Sequence, residues 1–229
     1  MVDTQYTKCY VAFLDVLGFK NRVKEASCQD ILDMYNWFEH IHEAFYEGEA
    51  EDVVGNVKMK IMSDSICLYI EEDIPNALYY LIMFCVAFQF SLLDAEPCTF
   101  VRGGITYGEL YAKDDITFGP ALTEAYLLEE KNARVPRIII RKSTLDYGMG
   151  KMDEDSKQSI NYCIFQDDDA FYVVDCLKLH TIAGFQEVLE KVKKVVSYWL
   201  DTTTNESIRQ KYLYVKKRIQ RYLKEETDA

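Results

Sequence analysis

Residues 60–70 read KIMSDSICLYI, and no other stretch limits the fold as much. NVKMKIM (56–62) and SICLYI (65–70) are short apolar runs that read as two strands meeting near the Ser-Asp-Ser. That pattern predicts a hairpin with Asp64 at or beside its turn. It also puts an ionisable carboxylate halfway along sequence that otherwise reads as buried sheet, and the carboxylate needs a reason.

The flanking segments extend the pattern. YVAFLDVLG (10–18) is an apolar run with one acid, Asp15, and a closing glycine, which suits a central strand. Ile31, Tyr35, Phe38, His42 and Phe45 recur at helical spacing between Asp30 and Gly48, with Gly48 as the stop. His42 lies on that apolar stripe and reads as a satisfied core histidine. YYLIMFCVAFQFSLL (79–93) is shorter than a bilayer requires and contains Gln89 and Ser91. It reads as a buried helix over roughly 74–94, opened by Pro75 in its first turn. CTFVRGGITYGELYA (98–112) predicts a strand, a glycine-permitted bend and a second short strand. A helix over 120–132 and a strand at PRIIIR (136–141) follow. The order βαββαβ, with further elements behind it, favours an α+β fold: a ferredoxin-like or polymerase-palm sheet with helices on one face.

The second half is less regular. Residues 143–170 are polar and turn-rich, with MDEDSKQ read as a solvated loop, and FYVVDCL reads as a strand. Two helices are expected over 183–200 and 205–224, the last with an apolar stripe of Ile208, Tyr212, Val215, Ile219 and Tyr222. Its cations, Lys211, Lys216, Lys217, Arg218, Arg221 and Lys224, read as a solvated face balancing an acidic body. Residues 1–142 are taken as the core and 143–229 as a C-terminal extension of the same domain.

Composition narrows the partners. A formal charge of -12 discourages nucleic acid as the main partner, because sequence-independent binding to a phosphate backbone needs clustered Lys and Arg. Seven cysteines, scattered singly and with no CxxC pair, read as reduced thiols in a cytosolic protein. The N-terminus lacks the basic and apolar regions of a signal peptide, so a cytoplasmic chain without a membrane partner is expected.

Asp15 and Asp64 are distant in sequence, yet in a βαββ sheet their strands can be neighbours. Each could simply cap a turn or accept backbone hydrogen bonds. Two buried carboxylates close together resist ionisation unless a divalent cation lies between them. Hard oxygen ligands in that number suit magnesium or manganese, with water and substrate phosphates completing the shell. Gly18 lets the following backbone bend tightly and point amides at a phosphate.

FLDVLGF (13–19) resembles the FxDxxGF opening of class III nucleotidyl cyclases, and KIMSD (60–64) resembles their K-x-x-G-D hairpin with Ser63 in place of glycine. VRGGITYGELY (101–111) is similar to the family's R-x-G-I-x-x-G strand, and FGPALTEAYLLE (118–129) stands where the family has a glycine and a dimer-contacting helix. Within that family the SDS variant and the segment from GPALTEAYLLE to ARVPRI look most like the pyrimidine cyclases of bacterial Pycsar anti-phage systems. The resemblance covers about residues 8–141 in the expected order.

It implies a class III cyclase core and a head-to-tail homodimer with sites at the interface. Two Mg²⁺ or Mn²⁺ ions would be held by Asp15, Val16 and Asp64, with Asp15 and Asp64 the catalytic pair. Backbone amides at Val16, Leu17, Gly18 and Phe19 would cradle phosphates, and Lys60 corresponds to the base-reading lysine. Arg102 is a second candidate for a base carbonyl or a phosphate; ordinary ion pairing is the alternative for both cations. The implied reaction converts UTP, or CTP, to its 3′,5′-cyclic monophosphate and pyrophosphate, a defence signal sensed by a separate effector protein. Thr123 and Leu127 replace the helix Asn and Arg of adenylyl cyclases, and Ile116 falls where an adenine-reading Asp is expected, next to Asp115. Arg134 or Arg137 is the candidate for the missing transition-state cation. The alternatives are a catalytically inactive nucleotide-binding or dimerisation module and a purine cyclase; a diguanylate cyclase is set aside because GG[DE]EF is absent.

Overall fold

The computed structural model describes residues 5–47, 57–182 and 184–227. Strand β1 (Thr7–Val16) leads into a short α1 (Phe19–Glu25) and then α2 (Cys28–Glu47). The hairpin β2 (Lys58–Met62) and β3 (Ser65–Glu71) follows, then α3 (Ala77–Asp94), β4 (Val101–Lys113), β5 (Ile116–Phe118) and α4 (Pro120–Asn132). After β6 (Ile138–Ile140) come α5 (Lys142–Met149), α6 (Glu154–Asn161), β7 (Ile164–Gln166), β8 (Tyr172–Val174), α7 (Phe185–Thr202) and α8 (Glu206–Thr227).

The strands form one sheet in the order β2-β3-β1-β4-β6-β8-β7, with β5 paired to β4. In the first half β1 lies between β3 and β4, antiparallel to both, which is the expected palm arrangement. Strand periodicity divides β1 into two faces. Tyr10, Ala12, Leu14 and Val16 enter the main core with α3, whose Leu81, Ile82, Phe84, Cys85 and Phe88 are fully buried. Cys9, Val11 and Phe13 face the other way, under Ala121 and Ala125 of α4. Helix α3 has the length and composition of a bilayer span, but here it is the central core helix.

Several expectations are corrected. Residues 101–113 form one unbroken strand; the glycines serve close approach, not a bend. A Cβ on Gly103 would lie 2.7 Å from the Phe13 carbonyl oxygen, and one on Gly104 would lie 2.8 Å from that of Ala125, so α4 can settle directly on β4. Helix α3 begins at Ala77, so Pro75 belongs to the turn before it, and Asn76 adopts a left-handed conformation at φ 59°. The supposed loop at 143–170 contains α5, α6 and β7. MDEDSKQ runs into α6 because Asp153 caps it, its side chain accepting the Ser156 N–H at 2.7 Å. Gly48 lies outside the described residues.

On α8, Val215, Ile219 and Tyr222 are buried as the stripe predicts, but the cations do not all face solvent. Arg218 is buried, its Nε 2.7 Å from an Asp175 oxygen, and it donates to the Pro136 carbonyl at 2.8 Å. Tyr222 donates to the same Asp175 at 2.5 Å. The helix is thus bolted through a fully buried acid to the end of β8.

Candidate active site

The hairpin is closed by the Met62–Ser65 pair, so Ser63 and Asp64 are its two turn residues. Ser63 takes φ 60°, a backbone conformation in which glycine is ordinarily favoured, and its carbonyl accepts a hydrogen bond from the Tyr35 hydroxyl at 3.0 Å. The Asp64 carbonyl accepts the Val16 N–H at 2.9 Å, which fixes the turn against the end of β1. Asp15 lies opposite Ser65 on one side and Arg102 on the other. Two acids from adjacent strands therefore meet at one end of the sheet. Alternation puts Asp15 on the same face as Phe13, under α4, and the backbone bond from Val16 holds the Asp64 turn residue beside it.

Arg102 is committed to acids. Its Nε is 2.7 Å from Asp15 Oδ2 and 2.8 Å from Glu129 Oε1. One N–H cannot serve both: it is directed at Asp15, and the Glu129 oxygen, buried, accepts no hydrogen bond. Burial accordingly pushes the Glu129 carboxyl up to about 7, against the pull of Arg102 and with the Asp15 charge adding to the rise. Glu129 was not singled out from the sequence. Its signal is the spacing Ala121, Ala125, Glu129, which continues the inward face of α4 by one turn.

The other expected site residues divide. Lys60 Nζ donates to the Asp114 carbonyl in the β4–β5 turn, bringing the hairpin lysine to the segment that holds Asp115 and Ile116. Of the four amides expected to hold phosphates, Val16 N–H is taken by Asp64 and Leu17 N–H by the Phe100 carbonyl at 2.9 Å. That leaves Gly18, at φ +85°, and Phe19, where the chain enters α1. Arg137 is excluded as a transition-state cation, being buried in contacts with Asp167 at 2.6 Å, Asp169 at 2.5 Å and the Asn132 carbonyl at 2.9 Å. Arg134 is bonded to the Lys131 carbonyl at 3.2 Å. Thr123 lies on the exposed face of α4. His42 is paired with the Val57 carbonyl at 2.9 Å, in keeping with a core histidine.

Do these residues suit a divalent ion? Among the described residues no group of three or more His, Cys, Asp or Glu could hold a metal. The Asp64 carboxylate accepts no hydrogen bond from any described side chain, and Asp15 gives one oxygen to Arg102 and keeps the other. Two hard carboxylates fit an ion such as magnesium, which is commonly held by one or two acids and receives its other ligands from water and substrate phosphates.

No protein-family model matches the sequence. No curated protein matches it either. Solved structures do match the fold. The monomeric guanylyl cyclase domain of the RhoGC fusion protein from the aquatic fungus Blastocladiella emersonii superposes with a TM-score of 0.57 at 17% identity, over 75% of this chain and 96% of that one. The guanylate cyclase domain of RhGC from Catenaria anguillulae, in complex with GTP, gives 0.54 at 14% identity, over 75% and 98%. A bacterial light-regulated adenylyl cyclase gives 0.54 at 13% identity, over 93% and 59%. The chain has the α+β palm fold of class III nucleotidyl cyclase domains, with C-terminal helices added.

Proposed function

We propose that this chain is a metal-dependent nucleotidyl cyclase that converts a pyrimidine nucleoside triphosphate, UTP in preference to CTP, to its 3′,5′-cyclic monophosphate and pyrophosphate. The observation that carries this reading is the meeting of Asp15 and Asp64 at one end of the sheet, set by the Asp15–Ser65 register and the Val16 N–H to Asp64 carbonyl bond. Two carboxylates at one strand end, one of them with an oxygen left over from its Arg102 contact, offer hard oxygen ligands to a divalent ion. Asp15, the Val16 carbonyl and Asp64 would hold two Mg²⁺ or Mn²⁺ ions. Bound there, such ions lower the pKa of the attacking 3′-hydroxyl and stabilise charge on the α-phosphate and the leaving pyrophosphate.

The chain's own residues mainly orient. The Arg102 N–H holds the Asp15 carboxylate in place, which revises its role from base or phosphate contact to positioning residue. The amides of Gly18 and Phe19 face the terminal phosphates, and Lys60 reads the base from the hairpin. A head-to-tail homodimer accounts for the large apolar side chains left exposed on the α4 side of the sheet, Met62 and Tyr126. Its product would act as an anti-phage signal on a separate effector.

The purine alternative draws on the fold neighbours, which are guanylyl and adenylyl cyclases, one of them holding GTP. Against it stand Thr123 and Leu127, where the resemblance expects the Asn and Arg of adenylyl cyclases, and Ile116, where it expects an adenine-reading Asp. Offering all four triphosphates together with manganese, and reading products by mass spectrometry, decides. Cyclic UMP or cyclic CMP is expected, and Asp64→Ala abolishes it. Equal turnover of ATP defeats the pyrimidine assignment, and metal-dependent nucleotide binding without pyrophosphate release identifies a non-catalytic module.

A further inference from the structure

Helix α8 is fixed where it passes the carboxylate end of the sheet. Tyr212 sets its ring edge-on to Phe100 at 5.8 Å and stacks on Trp199 at 5.6 Å. Tyr214 donates to Asp167 at 2.7 Å, one turn before the buried Arg218–Asp175 pair. Phe100 in turn accepts the Leu17 N–H and precedes Arg102 by two residues. The early turns of α8 thus abut the segment carrying Asp15, Gly18 and Arg102.

Lys211 stands on that part of the helix. It is four residues before Val215 and seven before Arg218, both buried, so its side chain leaves along the inward edge. It is half-buried, whereas Lys216 and Lys217 on the same helix are exposed. Burial lowers the Lys211 ammonium from its ordinary value, the like charge of Arg102 lowers it further, and Asp15 opposes both. Among the described residues its ammonium has no hydrogen-bond or ion-pair partner. A half-buried ammonium with no partner of its own, on a helix whose next residue packs against Phe100, is open to an anion arriving at the end of β1.

We propose that Lys211 binds the substrate's phosphates beside Asp15, so that the C-terminal helix is a working part of the active site and not a brace around it. This rests on the cyclase reading above for the identity of the substrate, but the chemistry it names is that of any linear polyphosphate. A compact ammonium with three donors suits several phosphate oxygens at once.

The test is calorimetric titration of the full chain with inorganic tripolyphosphate in magnesium, comparing wild type, Lys211→Met and Lys217→Met. Met keeps the aliphatic stem, so α8 packing is retained; Lys211→Gln repeats the measurement if the Met variant melts lower. Loss of one charge-assisted contact is expected to weaken binding by about ten- to a hundredfold in the Lys211 variant. Lys217→Met is expected to bind as wild type. Undiminished binding by Lys211→Met, an equal loss in Lys217→Met, or no binding by wild type overturns the inference. A wild type that binds tripolyphosphate through Lys211 but makes no cyclic nucleotide leaves this inference standing and removes the cyclase reading. Cyclic product with binding indifferent to Lys211 does the reverse.

Discussion

Glu129 is a buried carboxyl beside an arginine whose Nε–H is given to another acid, and this has a measurable consequence for stability. In the folded chain its pKa is pushed up to about 7, whereas in the unfolded chain it returns to the ordinary glutamate value. Below both values the group is protonated in either state and contributes no pH dependence. Between them the native state holds a proton that the unfolded state has lost, so stability falls as pH rises. Above about 7 the penalty is complete, and a displacement of this size corresponds to about 3 kcal/mol.

Glu129→Gln removes the ionisation while keeping the shape of the protonated acid. The variant should match wild type near pH 4, below both values, and exceed it by up to about 3 kcal/mol at pH 8. With a urea dependence of about 2–3 kcal/mol/M for a chain of this size, the midpoints should separate by roughly 1 M at the alkaline end. Tryptophan fluorescence from Trp37 and Trp199 reports the transition, with a chelator present to keep metal occupancy out of the comparison. Only the difference between the two curves is read, since other groups titrate in both. Parallel curves from pH 4 to 8 would refute the reasoning, because they would mean that Arg102 turns its N–H to Glu129 once that group ionises.

Two further outcomes follow from backbone and burial. Ser63→Gly relieves a non-glycine residue at φ 60° in the hairpin turn and should raise stability by about 1 kcal/mol, read as a higher melting temperature; a lower one shows that the serine is not strained. Arg218→Met leaves the fully buried Asp175 without its cation and should cost about 3–5 kcal/mol in urea unfolding, and a loss below 1 kcal/mol would show that Tyr222 alone satisfies the acid.

What could be read from residue order was mostly what repeats. The alternation in β1 and the two apolar runs around Ser63 and Asp64 carry their own register, because one face of each strand must be buried. From that register the approach of Asp15 to Asp64 follows without coordinates. Segments governed by a single polar contact were misread. Residues 153–161 look like solvated loop by composition, yet one Asp153 side chain on the Ser156 amide turns them into a helix. Gly103 and Gly104 suggest a bend locally, and only the neighbours they admit, β1 and α4, show that they serve packing.

The same limit explains the cations of α8 that were taken for a solvated face. A cation on an amphipathic helix is ordinarily solvated, and counting charges along 208–224 cannot separate Arg218, locked to Asp175, or Lys211, turned inward, from the exposed Lys216 and Lys217. Their fates depend on where β4 and β8 lie relative to α8, a relation between segments far apart in the chain. Periodicity reports which face of an element is buried and is silent on what that face meets. Acids on strands whose pairing is dictated by pattern, such as Asp15 and Asp64, are therefore open to inference from sequence. Charges delivered by a helix packed from afar, such as Lys211, become visible only when the fold has set that helix against its strand end.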